Sequence, residues 1–164
     1  MFKLREVTIS DLEKIRTINE EAIPAVNTVS LDEFKWFLKR SIYFKVSLNE
    51  DEQVCGFLLV LPTGLKYESL NYKWFSDKFS DFAYIDRIAV KDEFRGKGIG
   101  KSLYVDLEKS VMKDIKRIAC EFNINPPNLV SKKFHEGLAY KRVGTQLTEN
   151  ETKEVSLMIK EINA

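Results

Sequence analysis

Histidine occurs once in this sequence and cysteine only twice. The two cysteines, Cys55 and Cys120, sit in apolar strand-like runs without CxxC or Cys/His ligand spacing. That argues against a disulfide framework, implies no metal and suits reduced core thiols. An excess of one charge is also missing. Lys and Arg number 26 against 25 Asp and Glu, which gives no general reason to expect a nucleic-acid or membrane-surface partner. Any basic site must be local. No run approaches the ~20 apolar residues of a membrane span. The opening Met1-Phe2-Lys3-Leu4-Arg5-Glu6 acquires charge at once and has no apolar signal core, so a cytoplasmic location is expected. Repeats, low-complexity tracts and dividing linkers are absent as well. What is present is 164 residues at 44% hydrophobic content, the size of one compact domain over residues 1–164.

Leu4 to Ile9 reads as a short strand, and Ser10-Asp11-Leu12-Glu13 matches a capping box opening a helix to about Glu21, with Leu12, Ile15 and Ile18 on its buried face. Ser30-Leu31-Asp32-Glu33 is a second capping box, followed by Phe34, Phe37 and Leu38 at helical spacing. Ile42 to Leu48 and Gln53 to Leu61 flank the polar turn Asn49-Glu50-Asp51-Glu52 and predict a hairpin. Phe82 to Val90 predicts a further strand. Between them, Pro62 to Ser80 is long for a structureless connection and is either a binding loop or partly helical. Its aromatics, Tyr67, Tyr72, Trp74, Phe75 and Phe79, suit a lid or the core, with core packing expected for at least half. The second half alternates: a helix from about Gly98 to Lys113, a strand Arg117 to Asn123, a Pro126-Pro127 break, a short helix, and strands near Tyr140 and Val155. This rhythm predicts an α/β fold with a mixed sheet.

Chemistry concentrates between Tyr84 and Leu103, where an apolar strand passes through the turn Arg95-Gly96-Lys97-Gly98-Ile99-Gly100 into an amphipathic helix. Glycines let backbone approach an anion closely, and the helix N-terminus offers unsatisfied N–H groups and a favourable dipole. Arg95, Lys97 and Lys101 add countercharge, and Leu103 and Leu107 at i, i+4 pin the helix. The blander alternative is a tight strand-to-helix turn and nothing more. Spacing then separates the ligands. Gly100-Lys101-Ser102 ends like a Walker A loop, but Arg95 stands where its first glycine belongs. Gly96, Gly98 and Gly100 also miss the dinucleotide fingerprint Gly-x-Gly-x-x-Gly.

The turn resembles the acetyl-CoA signature of the GNAT N-acetyltransferase superfamily, Arg/Gln-x-x-Gly-x-Gly/Ala, which Arg95, Gly98 and Gly100 match. The resemblance extends over nearly the whole chain in the order of elements. It implies an α/β single-domain GNAT-like fold with a central mixed, splayed sheet flanked by helices, and acetyl-CoA as cosubstrate. It assigns Arg95, Gly96, Lys97, Gly98, Ile99, Gly100, Lys101 and Ser102 to the pyrophosphate, and Ile88, Ala89 and Val90 to the pantetheine arm. Asn128 and Ser131, on a segment resembling the family's later cofactor-contacting helix, are further contacts, although Asn128 is also a sufficient N-cap. The implied reaction is direct acetyl transfer to a primary amine of a small molecule or peptide. The oligomeric state is expected to be monomer or homodimer, with no nucleic acid or membrane partner. A CoA-binding module without catalysis and, further off, a P-loop nucleotide-binding protein are the alternatives.

Where many relatives carry a tyrosine acid on the later helix, this chain has His135, an alternative acid toward the thiolate, with Tyr140 in reserve. Asp86 and Glu121 are the candidate bases, Asp86 four residues before Val90 and Glu121 in the otherwise apolar Ile118-Ala119-Cys120-Glu121-Phe122. Glu121 matches the position of a glutamate used by some N-terminal protein acetyltransferases. An ion pair, Asp86 with Arg87 for one, is the structural alternative for both.

Overall fold

The computed structural model describes residues 1–162. The elements in chain order are β1 (Lys3–Glu6), α1 (Leu12–Glu21), α2 (Leu31–Arg40), β2 (Tyr43–Leu48), β3 (Val54–Leu61), α3 (Leu70–Lys78), β4 (Ala83–Val90), α4 (Ile99–Val111), β5 (Arg117–Asn125), α5 (Leu129–Gly137), β6 (Lys141–Thr148) and β7 (Lys153–Glu161). The strands form one mixed sheet in the order β1-β2-β3-β4-β5-β7-β6, which does not close, and five helices accompany it among the described residues. The chain packs as two compact units, Met1–Pro62 with Ile85–Val111, and Thr63–Tyr84 with the chain from Met112 onward. β4 is shared, its first two residues belonging to the second unit.

In the first unit β1, β2 and β3 are an antiparallel meander, with Leu4 opposite Ser47 and Val46 opposite Phe57. The hairpin turn is fixed by Asn49, whose Oδ1 accepts the N–H groups of Asp51 and Gln53, while Glu52 takes the left-handed conformation. β3 is buried along its whole length, as its uninterrupted apolar run requires of a strand covered on both faces. Helices α1 and α2 lie on β3, and α4 lies on β2 and β3. The Tyr43 hydroxyl and the Lys45 ammonium both donate to Asp106 on α4, at 2.9 and 2.8 Å. The Ser30–Glu33 capping box forms in both directions at 3.1 Å. The first cap does not fall at Ser10. The strand ends at Glu6, and the Asp11 carboxylate accepts both the N–H and the hydroxyl of Thr8. A 3₁₀ turn, Ile9–Asp11, therefore precedes α1. The Arg5 fork closes on the same carboxylate at 2.9 and 3.0 Å, which draws the box two residues upstream.

In the second unit β4 pairs parallel with β5 through Ala83↔Ile118 and Tyr84↔Ala119. β7 then pairs antiparallel with both β5 and β6, so the later strand lies between the two earlier ones. The 62–80 segment is partly helical. Ser69 caps α3 by accepting from the Tyr72 N–H, and Tyr72 and Phe75 enter the core edge to face or tilted against Phe82 and Tyr84. Tyr67, Trp74 and Phe79 stay partly exposed.

Candidate active site

The glycine turn belongs to the first unit. After β4 the chain makes a 3₁₀ turn, Asp92–Phe94, and Gly96 and Gly98 then take φ of 75° and 83°. A Cβ at either glycine would meet no atom within 4 Å. The need for glycine is therefore in the backbone conformation, and the space beside it is open to a ligand. The Gly98 carbonyl accepts the Ser102 N–H, which starts α4, while Ile99, Leu103 and Leu107 are buried and hold the helix start in place. Lys97, Gly98, Lys101 and Ser102 are exposed. Arg95 bends back so that its Nε reaches the Val90 carbonyl and Asp92, both at 3.3 Å, with more than half of its side chain still in solvent. The result is an exposed cationic turn at a helix N-terminus, a geometry suited to phosphate.

Asp86, also in the first unit, is committed. Its Oδ2 lies 2.6 Å from Arg87 Nε, and the two side chains are 3% and 6% exposed. Arg87 also donates to α1 and the segment after it: Nη1 to Asn19 Oδ1 and the Asn27 carbonyl, Nη2 to Asn27 Oδ1, at 3.0 to 3.2 Å. Asn19, fully buried, donates to the same carbonyl. The aspartate is the counterion of a buried latch.

Glu121, in the second unit, has different company. Its Oε1 accepts from the Tyr84 hydroxyl at 2.7 Å and from Asn71 Nδ2 at 3.1 Å. Gln146 Nε2 on β6 in turn donates to Asn71 Oδ1 at 2.9 Å. Asn71 and Gln146 are absent from the sequence reading, and with reason: they lie 50 and 75 positions from their partners, and nothing local distinguishes them.

His135 and Tyr140 pack together in the second unit. The imidazole is 3% exposed, stacks on Phe122 at 5.8 Å and meets Tyr140 edge to face at 5.6 Å. Its Nδ1 is 2.8 Å from the Ser131 carbonyl, which can only accept, so the proton sits on Nδ1. Burial pushes its pKa down, partly offset by that hydrogen bond, and the ring is neutral near pH 7. Asn128 caps α5 by accepting the Ser131 N–H at 3.1 Å. Among the described residues no cluster of His, Cys, Asp and Glu could hold a metal, and no helix is long and apolar enough to cross a membrane.

The model of the acetyltransferase (GNAT) family matches residues 11–140. No curated protein matches the sequence significantly. Among solved structures, the chain is similar to the ribosomal-protein-S18-alanine N-acetyltransferase from Escherichia coli, at 15% identity and a TM-score of 0.76, over 100% of this chain and 96% of that one. Ard1 from Thermoplasma volcanium is similar at 14% identity and TM-score 0.78, over 99% of each chain. So is NAA60 from Arabidopsis thaliana, in complex with a bisubstrate analogue, at 18% and 0.79, again over 99% of each.

Proposed function

The chain belongs to the GNAT acetyltransferase family, and on that premise we propose that it transfers the acetyl group of acetyl-CoA directly to a primary amine of a small molecule or peptide. The observation that carries this reading is the open turn at Gly96 and Gly98, with positive φ at both glycines and the start of α4 just beyond. A pyrophosphate fits there because backbone N–H groups, the helix dipole and the side chains of Arg95, Lys97 and Lys101 all favour negative charge. Ile88, Ala89 and Val90 take the pantetheine arm in the family's manner, and Asn128 and Ser131 contribute through the start of α5. When bound, acetyl-CoA supplies the activated acetyl group.

The remaining work is proton handling and positioning. An amine acceptor reaches a neutral solution as ammonium and must lose a proton before it can attack. Glu121 is the group we assign to that step, through water. Asp86 is the poorer candidate because its carboxylate is already closed on Arg87 Nε at 2.6 Å, with both side chains buried. His135 is neutral but commits its Nδ1 proton to the Ser131 carbonyl, so we assign it to packing and leave the thiolate to be protonated by solvent. The whole chain acts as one catalytic domain in this reading.

Acetyl-CoA should raise the melting temperature while ATP with Mg²⁺ does not, since a ligand of the native state adds RT ln(1 + [L]/Kd) to stability. Gly98→Asp should remove that shift, because it forces a side chain into a positive-φ position and sets a negative charge against the phosphates. A panel of amines, followed by thiol release, should then identify acceptors. Equal stabilisation by ATP, or no thiol release with any amine class, overturns the assignment.

A further inference from the structure

Glu121 Oε1 is held by two neutral side chains from different elements, Tyr84 on β4 and Asn71 on α3, and the second of these is itself held. We propose that Asn71 is a positioning residue for the acetyl transfer, and that Gln146 on the edge strand sets the direction of its amide, making a relay Gln146–Asn71–Glu121. The proposal rests on Glu121 being the base, and it assigns two residues that have no part in the family's cofactor signature.

The direction of the relay follows from donor chemistry. An ionised carboxylate only accepts, so Asn71 must turn its NH₂ toward Glu121. Its Oδ1 then faces away and needs a donor, which Gln146 Nε2 supplies at 2.9 Å. Without that donor Asn71 Oδ1 loses the Gln146 hydrogen bond, and the amide, whose χ2 is a broad torsion, is held less firmly against the carboxylate. Gln146 thus holds Asn71 in the direction that the carboxylate requires.

Packing fixes the two amides in register. Asn71 and Trp74 are three residues apart on α3 and share a face, while Gly144 and Gln146 are two apart on β6 and share another. A Cβ on Gly144 would lie 2.5 Å from Trp74 Cζ2, so the indole occupies the place of a side chain at 144. The register shift between Arg142 and Gly144 opposite β7 re-aims this stretch of β6. At the other end, Ser69, two residues before Asn71, caps α3 and fixes where it begins. The Trp74 indole against Gly144 and the Gln146–Asn71 hydrogen bond seat the helix on the strand, and the hydrogen bond is the one that continues to Glu121.

The groups around the carboxylate define what its titration reports. Tyr84 donates from β4, and Tyr72 on α3 lies 5.4 Å from the Tyr84 ring. Cys120, next along β5, is buried, and both desolvation and the Glu121 charge raise its pKa. Leu157 stands opposite Glu121 on β7. Each hydrogen bond to the ionised form favours that form, so loss of the Asn71 donor must make the carboxylate more basic.

The test has one kinetic and one direct readout. In Asn71→Ala the lower-pH limb of kcat/KM should move up by about 0.5–1 pH unit, the size expected for one hydrogen bond on a carboxylate. Gln146→Ala should move it by less, and the double variant no further than Asn71→Ala alone, because Gln146 acts through Asn71. Gln146→Glu is the decisive substitution. It preserves shape but cannot donate, so it should shift the limb more than Gln146→Ala, and that excess should vanish when Asn71 is Ala. A packing role predicts the opposite order, and a through-space charge predicts an excess that survives in Asn71→Ala; either result overturns the relay. The second readout is the ¹³C carboxyl titration of Glu121, assigned by its disappearance in Glu121→Gln and independent of turnover. If Glu121→Gln keeps the wild-type pH profile, the base assignment fails. If the Glu121 titration stays unmoved in the Gln146 variants, the relay fails whatever the base is. Gln146 is half-buried on an edge strand, so its variants keep the test open should Asn71→Ala not fold.

Discussion

Asp86 and Glu121 look alike in one dimension, each a single carboxylate in an apolar strand, yet the fold gives them opposite surroundings. Asp86 has its cation next in the chain, and the pair is closed at 2.6 Å with both side chains buried. Glu121 is gripped by neutral hydroxyl and amide groups brought in from 37 and 50 positions away. A carboxylate answered by a guanidinium holds structure, since its charge is already spent. The carboxylate held by a hydroxyl and an amide is the one that the proposed reaction assigns to the proton of the amine.

The largest expected effect is on turnover and separates the two acids directly. Glu121→Gln should lower kcat by ~10²–10⁴-fold, the span of positioned base catalysis, with a small change in melting temperature. Asp86→Asn should do the reverse, lowering the melting temperature while the folded fraction keeps near-wild-type kcat. Steady-state assays beside thermal melts decide it, and a loss of turnover in Asp86→Asn without loss of stability would exchange the two roles. Next in size, Arg87→Met takes the guanidinium away from the buried Asp86 carboxylate and also releases Asn19 and Asn27. It should cost about 3–5 kcal/mol, as breaking a buried pair does, measured by urea unfolding. A cost under about 1 kcal/mol would show that the latch carries no more than a surface bridge.

The smallest effect sharpens the comparison by bringing in His135, the third titratable candidate. Its folded pKa lies below its ordinary value because burial disfavours the charged ring. Between the folded and the unfolded value the unfolded chain therefore binds more protons, so stability is full above the unfolded value near 6.5 and declines as pH falls below it. His135→Phe should flatten that decline without altering the lower-pH limb of kcat/KM. Urea midpoints at pH 7.5 and pH 5.5 measure the first effect, and a displaced kinetic limb would return His135 to the chemistry.

What could be read along the chain was local. The Ser30–Glu33 box, the Asn49 turn, the Asn128 cap and the glycine turn each use groups within about five positions, and each forms as its residue types require. The start of α1 departs from the Ser10 box because Arg5, outside that motif, takes Asp11 as its partner. The α3 helix was half-visible because Tyr72 and Phe75 keep helical spacing, yet Asn71 beside them carries no sign that its amide matters. Its value is set by β5 and β6, and no window of sequence contains all three.

The position of β7 between β5 and β6 also dictates an order of assembly. During synthesis β6 leaves the ribosome ahead of its partner β7, and β5 waits for the same strand. Closing that gap brings Arg117 to Glu161 across 44 positions, a long-range step of the kind that slows folding. Until then two unpaired strand edges stand open to other chains, the situation in which newly made β-structure is most prone to aggregate.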